Sequence, residues 1–375
     1  MQHDSQELYT VGFVENGGVT LYRTVLLLPA GIAMLAGVNA ALMLVGVWAP
    51  VRAARAGDLH GMLMVGGFLA TLIALERAVA LRHPLGFIAP VLLGIGGLTL
   101  LTPLPLVVGQ LLLVNGSLVL VAVYAALFRR NHDDVVLVEL LGAVHLAIGA
   151  GLWLRLDIPW LLPWLVGFVV LTICAERVEL ARLHMPPTGG RTLVLHAGAL
   201  TLTLVATLLW PDAGARLTGI VTASLVIWLV RNDVARRTIR SKGLPRFSAA
   251  ALLSGYAWLL LAAVVWMIGG ARTTGVHYDL VVHAVMLGFA ISMVMAHAPV
   301  ILPAVLRRPL PYRPVMWAPF VLMHVGLALR LIPGDLAGMH RVWQTGAVLN
   351  VVALLAFFGV AAGSTVIGTR PRRTA

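Results

Sequence analysis

Cysteine is nearly missing from this chain. A single residue, Cys174, stands among 375, which excludes a disulfide framework and any thiolate metal centre. Charge is scarce as well: 11% of residues are Asp, Glu, Lys or Arg, against 60% hydrophobic, and the mean hydropathy is +0.94. No soluble core absorbs that much apolar sequence, so the composition points to an all-α polytopic membrane protein whose first partner is the lipid bilayer. Acids are rarest, 15 against 27 basic residues. The basic residues punctuate apolar runs instead of forming a patch, so no nucleic-acid partner is expected. The first 23 residues lack a signal-peptide pattern, which leaves the first span to direct insertion. No low-complexity linker separates domains.

A helix needs ~20 apolar residues to cross ~30 Å of hydrocarbon. Runs between charged or Pro/Gly-rich breaks predict about twelve spans: 24–49, 59–81, 85–101, 104–128, 134–154, 158–178, 191–210, 213–230, 248–268, 277–305, 313–332 and 339–366. They are too long and too uniformly apolar for barrel strands. The expected organisation is an N-terminal tail 1–23, one membrane domain 24–366 and a basic C-terminal tail 367–375. Of the 27 basic residues, Arg52, Arg55, Arg155, Arg216, Arg272, Arg330 and Arg341 fall on one side, leaving 20 on the other. The positive-inside rule then places both termini in the cytoplasm, in a bacterial-type inner membrane.

One pattern recurs. GFLATLIALER (67–77), GFVVLTICAER (167–177) and GFAISMVMAHA (288–298) end the second, sixth and tenth spans. A spacing of four spans predicts three four-helix pseudo-repeats, arranged about a pseudo-threefold axis. Glu76 lies ~25 Å below Leu59, near one membrane boundary, and Glu176 lies equally deep. The plain expectation is an interfacial acid beside a snorkelling arginine; the alternative is a proton relay or an inter-helix contact. His297 replaces the glutamate in the third copy, as a structural histidine or a polar bridge.

His60 opens the second span and His283 sits in the first turns of the tenth. Both spans run in the same direction, so the two imidazoles share a depth in the opposite half of the membrane. Level histidines flanked by Gly61 and Ala284 match what a six-coordinate haem requires, two axial imidazoles and room for the porphyrin. Interface histidines bonded to protein or water are the other reading, and the repeat does not relate the pair: His60 precedes its Gly-Phe by seven residues, His283 by five. Arg155 and Arg330 end the fifth and eleventh spans at that level and suit haem propionates, unless they simply snorkel. His277, Tyr278 and His340 stand near the same rim. His145, His324 and His196 could hold copper as a trio, but separate polar contacts fit their separate spans better. Met62, Met64, Met286, Met293 and Met295 offer soft ligands or gap-filling side chains.

The runs HAVMLGFAISMVMAHAPVILPAVLRRPL (283–310), VLMHVGLALRLI (321–332) and RVWQTGAVLNVVALLAFF (341–358) resemble the C-terminal part of the NnrS family. LHGMLMVGGF (59–68) is similar to that family's second-helix signature, with His60, Met64 and Gly67–Phe68 in matching places; Met62 and Leu63 stand where the family has a second histidine and a glutamate. The resemblance implies a twelve-helix protein associated with haem b, and with copper, in nitric oxide metabolism. A more distant similarity, to subunit I of the haem-copper oxidases, implies low-spin haem ligands on helices 2 and 10, where His60 and His283 fall. The histidines of an oxygen- or NO-reducing binuclear centre are missing from the sixth span and from position 285. The expectation is therefore haem-based electron transfer or nitrosative-stress handling, with an electron-donor protein or a quinol as partner. The competing readings are a secondary transporter using Asn39, Asn115, Asn350 and Glu139, or a non-catalytic subunit of a respiratory complex.

Overall fold

The computed structural model describes residues 17–52 and 55–368; most of the N-terminal tail and the basic residues Arg370, Arg372 and Arg373 lie outside them. Among the described residues there is no strand, and eleven helices are long and apolar enough to cross a membrane. In chain order they are α1 (Gly17–Val45), α2 (Ala56–Leu81), α4 (Leu106–Asn131), α5 (Asp134–Leu152), α6 (Ile158–Leu180), α7 (Gly189–Leu209), α8 (Pro211–Asn232), α9 (Gly243–Gly269), α10 (Gly275–Leu306), α11 (Pro314–Leu336) and α12 (His340–Gly368). The remaining helix, α3, is a shorter apolar segment, Pro84–Thr99. Its regular part, Ile88–Thr99, is 12 residues and rises ~18 Å. The expected span at 85–101, one of the two shortest predicted, corresponds to this helix. Pro84 fixes its start in a 3-10 turn, and Pro103 and Pro105 cannot continue it. The chain is an all-α multi-pass membrane protein, and its rim is apolar as lipid requires: Leu195, Leu202 and Leu209 all lie exposed along α7.

The repeat is visible in the packing. The helices with the Gly-Phe pattern are the most buried: 78%, 78% and 61% of the most apolar stretch of α2, α6 and α10 is inside the protein. These three helices touch one another pairwise. The repeated glycine seats each of them on the first helix of its own unit. A Cβ on Gly67 would approach Ala33 of α1 to 2.9 Å, one on Gly167 would approach His145 of α5 to 2.7 Å, and one on Gly288 would approach Trp258 of α9 to 2.5 Å. Phe68, Phe168 and Phe289 beside them fill the core.

The arginines of the pattern turn inward, which corrects the snorkelling expectation. Arg77 is 8% exposed and Arg177 9%. Arg77 donates to Glu76 at 2.6 Å and to Glu139 of α5 at 3.2 Å, with Glu176 at 3.7 Å and Glu179 at 3.8 Å. Arg177 grips Asp233, which follows α8, through two bonds of 2.7 and 2.6 Å, and Tyr256 of α9 donates to the same carboxylate at 2.7 Å. Arg77 therefore reaches an acid of the following unit and Arg177 one in the segment that leads to it, because a cation this deep is tolerated only when paired.

Asp233 lies beyond the spans. Burial alone would push its carboxyl up, but the Arg177 guanidinium, the Ala235 N–H and the Tyr256 hydroxyl hold it below the usual carboxylate range. The unfolded carboxyl titrates near ~3.9, so this stabilisation is complete above that value and is lost as pH falls through the lower folded one. The difference in melting temperature between wild type and Asp233→Asn is expected to stay constant from about pH 8 to about 5 and to shrink in stronger acid. A difference that ignores acid would show that the pair's charge contributes nothing.

Candidate functional site

Two long helices of the core are not regular. Leu63–Leu69 of α2 and Ala284–Ile291 of α10 are π-helical, each beginning shortly after a histidine and each containing the Gly-Phe pair. A third π segment, Arg330–Leu336, ends α11 around Pro333. Widened turns of this kind re-aim side chains and concentrate at functional sites. The unequal spacing of His60 and His283 from Gly-Phe remains, and it runs through these irregular turns. A two-residue offset swings a regular helix by about 200°, but the turns between histidine and glycine are not regular here.

Both imidazoles face one cavity of about 110 Å³ between α1, α2, α6, α10 and α12. Its walls are mostly apolar, from residues such as Val38, Phe68, Leu162 and Leu354, and its polar side chains are His60, His283, Tyr278, Arg330 and Asn350. The His60 Nδ1 lies 2.8 Å from the carbonyl of Gly37. This contact depends on Gly37, where a Cβ would approach Met64 Sδ to 2.5 Å. The His283 Nδ1 lies 3.1 Å from the Asp279 carbonyl and 3.0 Å from its carboxylate. Each Nδ1 faces acceptors, so it carries the proton, and each Nε2 keeps its lone pair with no hydrogen-bond partner among the described residues. An imidazole held at Nδ1 with a bare Nε2 is the arrangement of a metal ligand and its orienting contact.

The two arginines behave differently from the expectation. Arg155 is exposed in the turn after α5 and does not line the cavity. Arg330 does line it, but its guanidinium is engaged in two parallel bonds to Asp279, 3.0 and 2.8 Å, and lies 5.3 Å from the Trp343 ring centroid. Arg330 thus orients Asp279, which orients His283. Asp279 was the residue missed by sequence reasoning. Its signal was present, since DLVVH places an acid four residues before the histidine on one helix face.

The other candidates are dispersed. His145 Nε2 meets the Thr201 hydroxyl at 3.0 Å and its ring packs against Trp164. His324 Nδ1 accepts from the Trp258 indole at 2.9 Å. His196 lies between the Thr192 carbonyl and Ser224 and stacks on Trp228. Among the described residues no three His, Cys, Asp or Glu side chains form a group able to hold a metal ion, so the trio considered for copper does not converge. Met64 and Met286 line the histidine cavity, whereas Met62, Met293 and Met295 are core. Asn39 and Asn115 bond to nearby backbone carbonyls, and Glu139 serves Arg77.

Glu76, Glu176 and His297 hold the same place in the three repeats, and all three line a second cavity toward the other end of the bundle. No curated protein matches this sequence. The chain belongs to the family described as Domain of unknown function (DUF8744), whose model matches residues 23–366, nearly the whole helical bundle.

Proposed function

We propose that this protein carries a b-type haem between His60 and His283 and acts in membrane electron transfer, in the nitric oxide or nitrosative-stress setting implied by the NnrS resemblance. The observation that supports this most is the shared cavity: two imidazoles from two helices line it, both fixed at Nδ1 and both bare at Nε2. The residues fit the group in their donor chemistry and in the apolar walls around them. Bound between two such imidazoles, a haem supplies one-electron exchange without an open position for substrate. The chain's own contribution is orientation. Gly37 fixes one ring, Asp279 fixes the other, and Arg330 with Trp343 fixes Asp279. The apolar side chains keep water from the site, and Tyr278 and Arg330 are its polar groups for propionates. Both termini on the cytoplasmic side of a bacterial-type inner membrane complete the reading.

The test is the visible spectrum of the detergent-purified protein, produced with haem supplied, before and after reduction. A sharp low-spin b-type spectrum at one haem per chain is expected. A colourless protein overturns the proposal and leaves the transporter reading, in which the paired π segments of α2 and α10 would serve as flexing points.

A further inference from the structure

The second cavity has a volume of about 490 Å³ and lies between α1, α2, α6, α10 and α12, on the opposite side of Phe68 and Leu69 from the histidine cavity. Its walls are apolar, including Leu72, Met293 and Phe357, and its buried polar groups are the three repeat-equivalent residues Glu76, Glu176 and His297. His297 is 6% exposed, and its Nε2 has no hydrogen-bond partner. A bare polar atom in such a place costs roughly 1–3 kcal/mol unless something meets it. The two carboxyl groups are differently placed. Arg77 Nη2 stands 2.6 Å from Glu76 and 3.7 Å from Glu176, so their charge already faces a cation. Both acids also line a polar vestibule with a basic rim at the end of the bundle, formed by Arg23, Arg82, Arg130 and Arg307.

We infer that this cavity is a binding site for a quinone or quinol, whose ring oxygen meets the His297 imidazole while its isoprenoid tail lies along the apolar walls. Three features select this class. The unpartnered group is an imidazole nitrogen, which suits a neutral carbonyl or hydroxyl. A carboxylate or phosphate head would stand against Glu76 and Glu176, and the one cation lining the cavity, Arg308, is exposed beyond α10. A cationic head would compete with Arg77 for acids that it already holds. The acids reach both the cavity and the vestibule, so they provide the proton exchange that a ligand with ionisable ring oxygens needs and a simple lipid does not. The inference needs no haem at His60 and His283, and its test uses no haem signal.

The experiment titrates the full chain in detergent with a short-chain alkyl benzoquinone and reads binding calorimetrically. Oleate and a long-chain trimethylammonium salt are run as competitors. Saturable one-site binding is expected, weakened roughly tenfold or more by His297→Ala and largely recovered by His297→Gln. Gly31 lines the cavity, and a Cβ there meets nothing within 4 Å. Gly31→Leu therefore fills the site without a clash and is expected to abolish binding at an unchanged melting temperature. Absence of saturable binding, affinity unaffected by both His297→Ala and Gly31→Leu, or displacement by oleate or the ammonium salt as effective as by unlabelled quinone, overturns the assignment.

Discussion

His60→Ala and His283→Ala are each expected to abolish the low-spin haem spectrum, while His145→Ala and His324→Ala leave it intact. The difference follows from which rings line the cavity with a free nitrogen. In His145 and His324 a nitrogen is spent on Thr201 or on the Trp258 indole, and neither ring lines the cavity. In His60 and His283 the Nδ1 is spent on orientation and the Nε2 remains. Asp279→Asn separates ligation from positioning. It keeps the shape of the side chain but removes the carboxylate that both His283 and Arg330 meet. Loss of such an orienting partner lowers affinity ~10–100-fold, so Asp279→Asn is expected to retain a low-spin spectrum at saturating haem and to release haem faster than wild type. Retention of full absorbance in either histidine-to-alanine variant would contradict the ligand pair. Haem titration followed at the Soret maximum, with unfolding temperature as the control, distinguishes these results.

The membrane architecture was legible because its cause is local. Twenty apolar residues between charges must span, whatever surrounds them, and the predicted boundaries of α6, α7 and α12 stand within two residues of the observed ones. α3 was legible as one of the two shortest runs, 85–101, but not its exact limits, because it is as apolar as a full span and only its flanking prolines mark the loss. Depth was legible too, so His60 and His283 emerged as a level pair. Azimuth was not. It assumes 3.6 residues per turn, and the π segments Leu63–Leu69 and Ala284–Ile291 break that assumption between the histidines and the glycines. Long flexible side chains were least legible. Arg77 at the end of α2 has the reach either to snorkel or to turn inward, and the choice depends on Glu139, 62 residues away. The ion-pair partner of Arg330 was hidden for a similar reason, since Asp279 lies 51 residues from it.

Arg77→Met is expected to produce the largest loss of stability, about 3–5 kcal/mol, the usual cost of removing one partner from a buried ion pair. Methionine keeps much of the apolar stem, so packing changes little and the effect isolates the guanidinium. What remains is four carboxyl groups, from Glu76, Glu139, Glu176 and Glu179, gathered where one cation had stood. Glu139 suffers most, because its side chain is fully buried and Arg77 is its ion-pair partner. Its other oxygen has no hydrogen bond, and neither does the nearby buried Tyr124 hydroxyl. A charge left alone there must take up a proton or draw in water. Arg77→Met/Glu139→Gln is therefore expected to be more stable than Arg77→Met alone, with a coupling energy of roughly 0.5–3 kcal/mol for residues in one network. Arg82→Met is the control, since Arg82 is exposed at the end of α2 and surface changes of this kind stay within ~0.5 kcal/mol. Denaturation in mixed detergent micelles measures these proteins together with Glu139→Gln, which closes the cycle. If Arg77→Met unfolds with the wild type, the repeated arginine is not what joins one four-helix unit to the next. The glycine contacts between α2 and α1, α6 and α5, and α10 and α9 would then hold within units only, leaving the mutual packing of α2, α6 and α10 to join them.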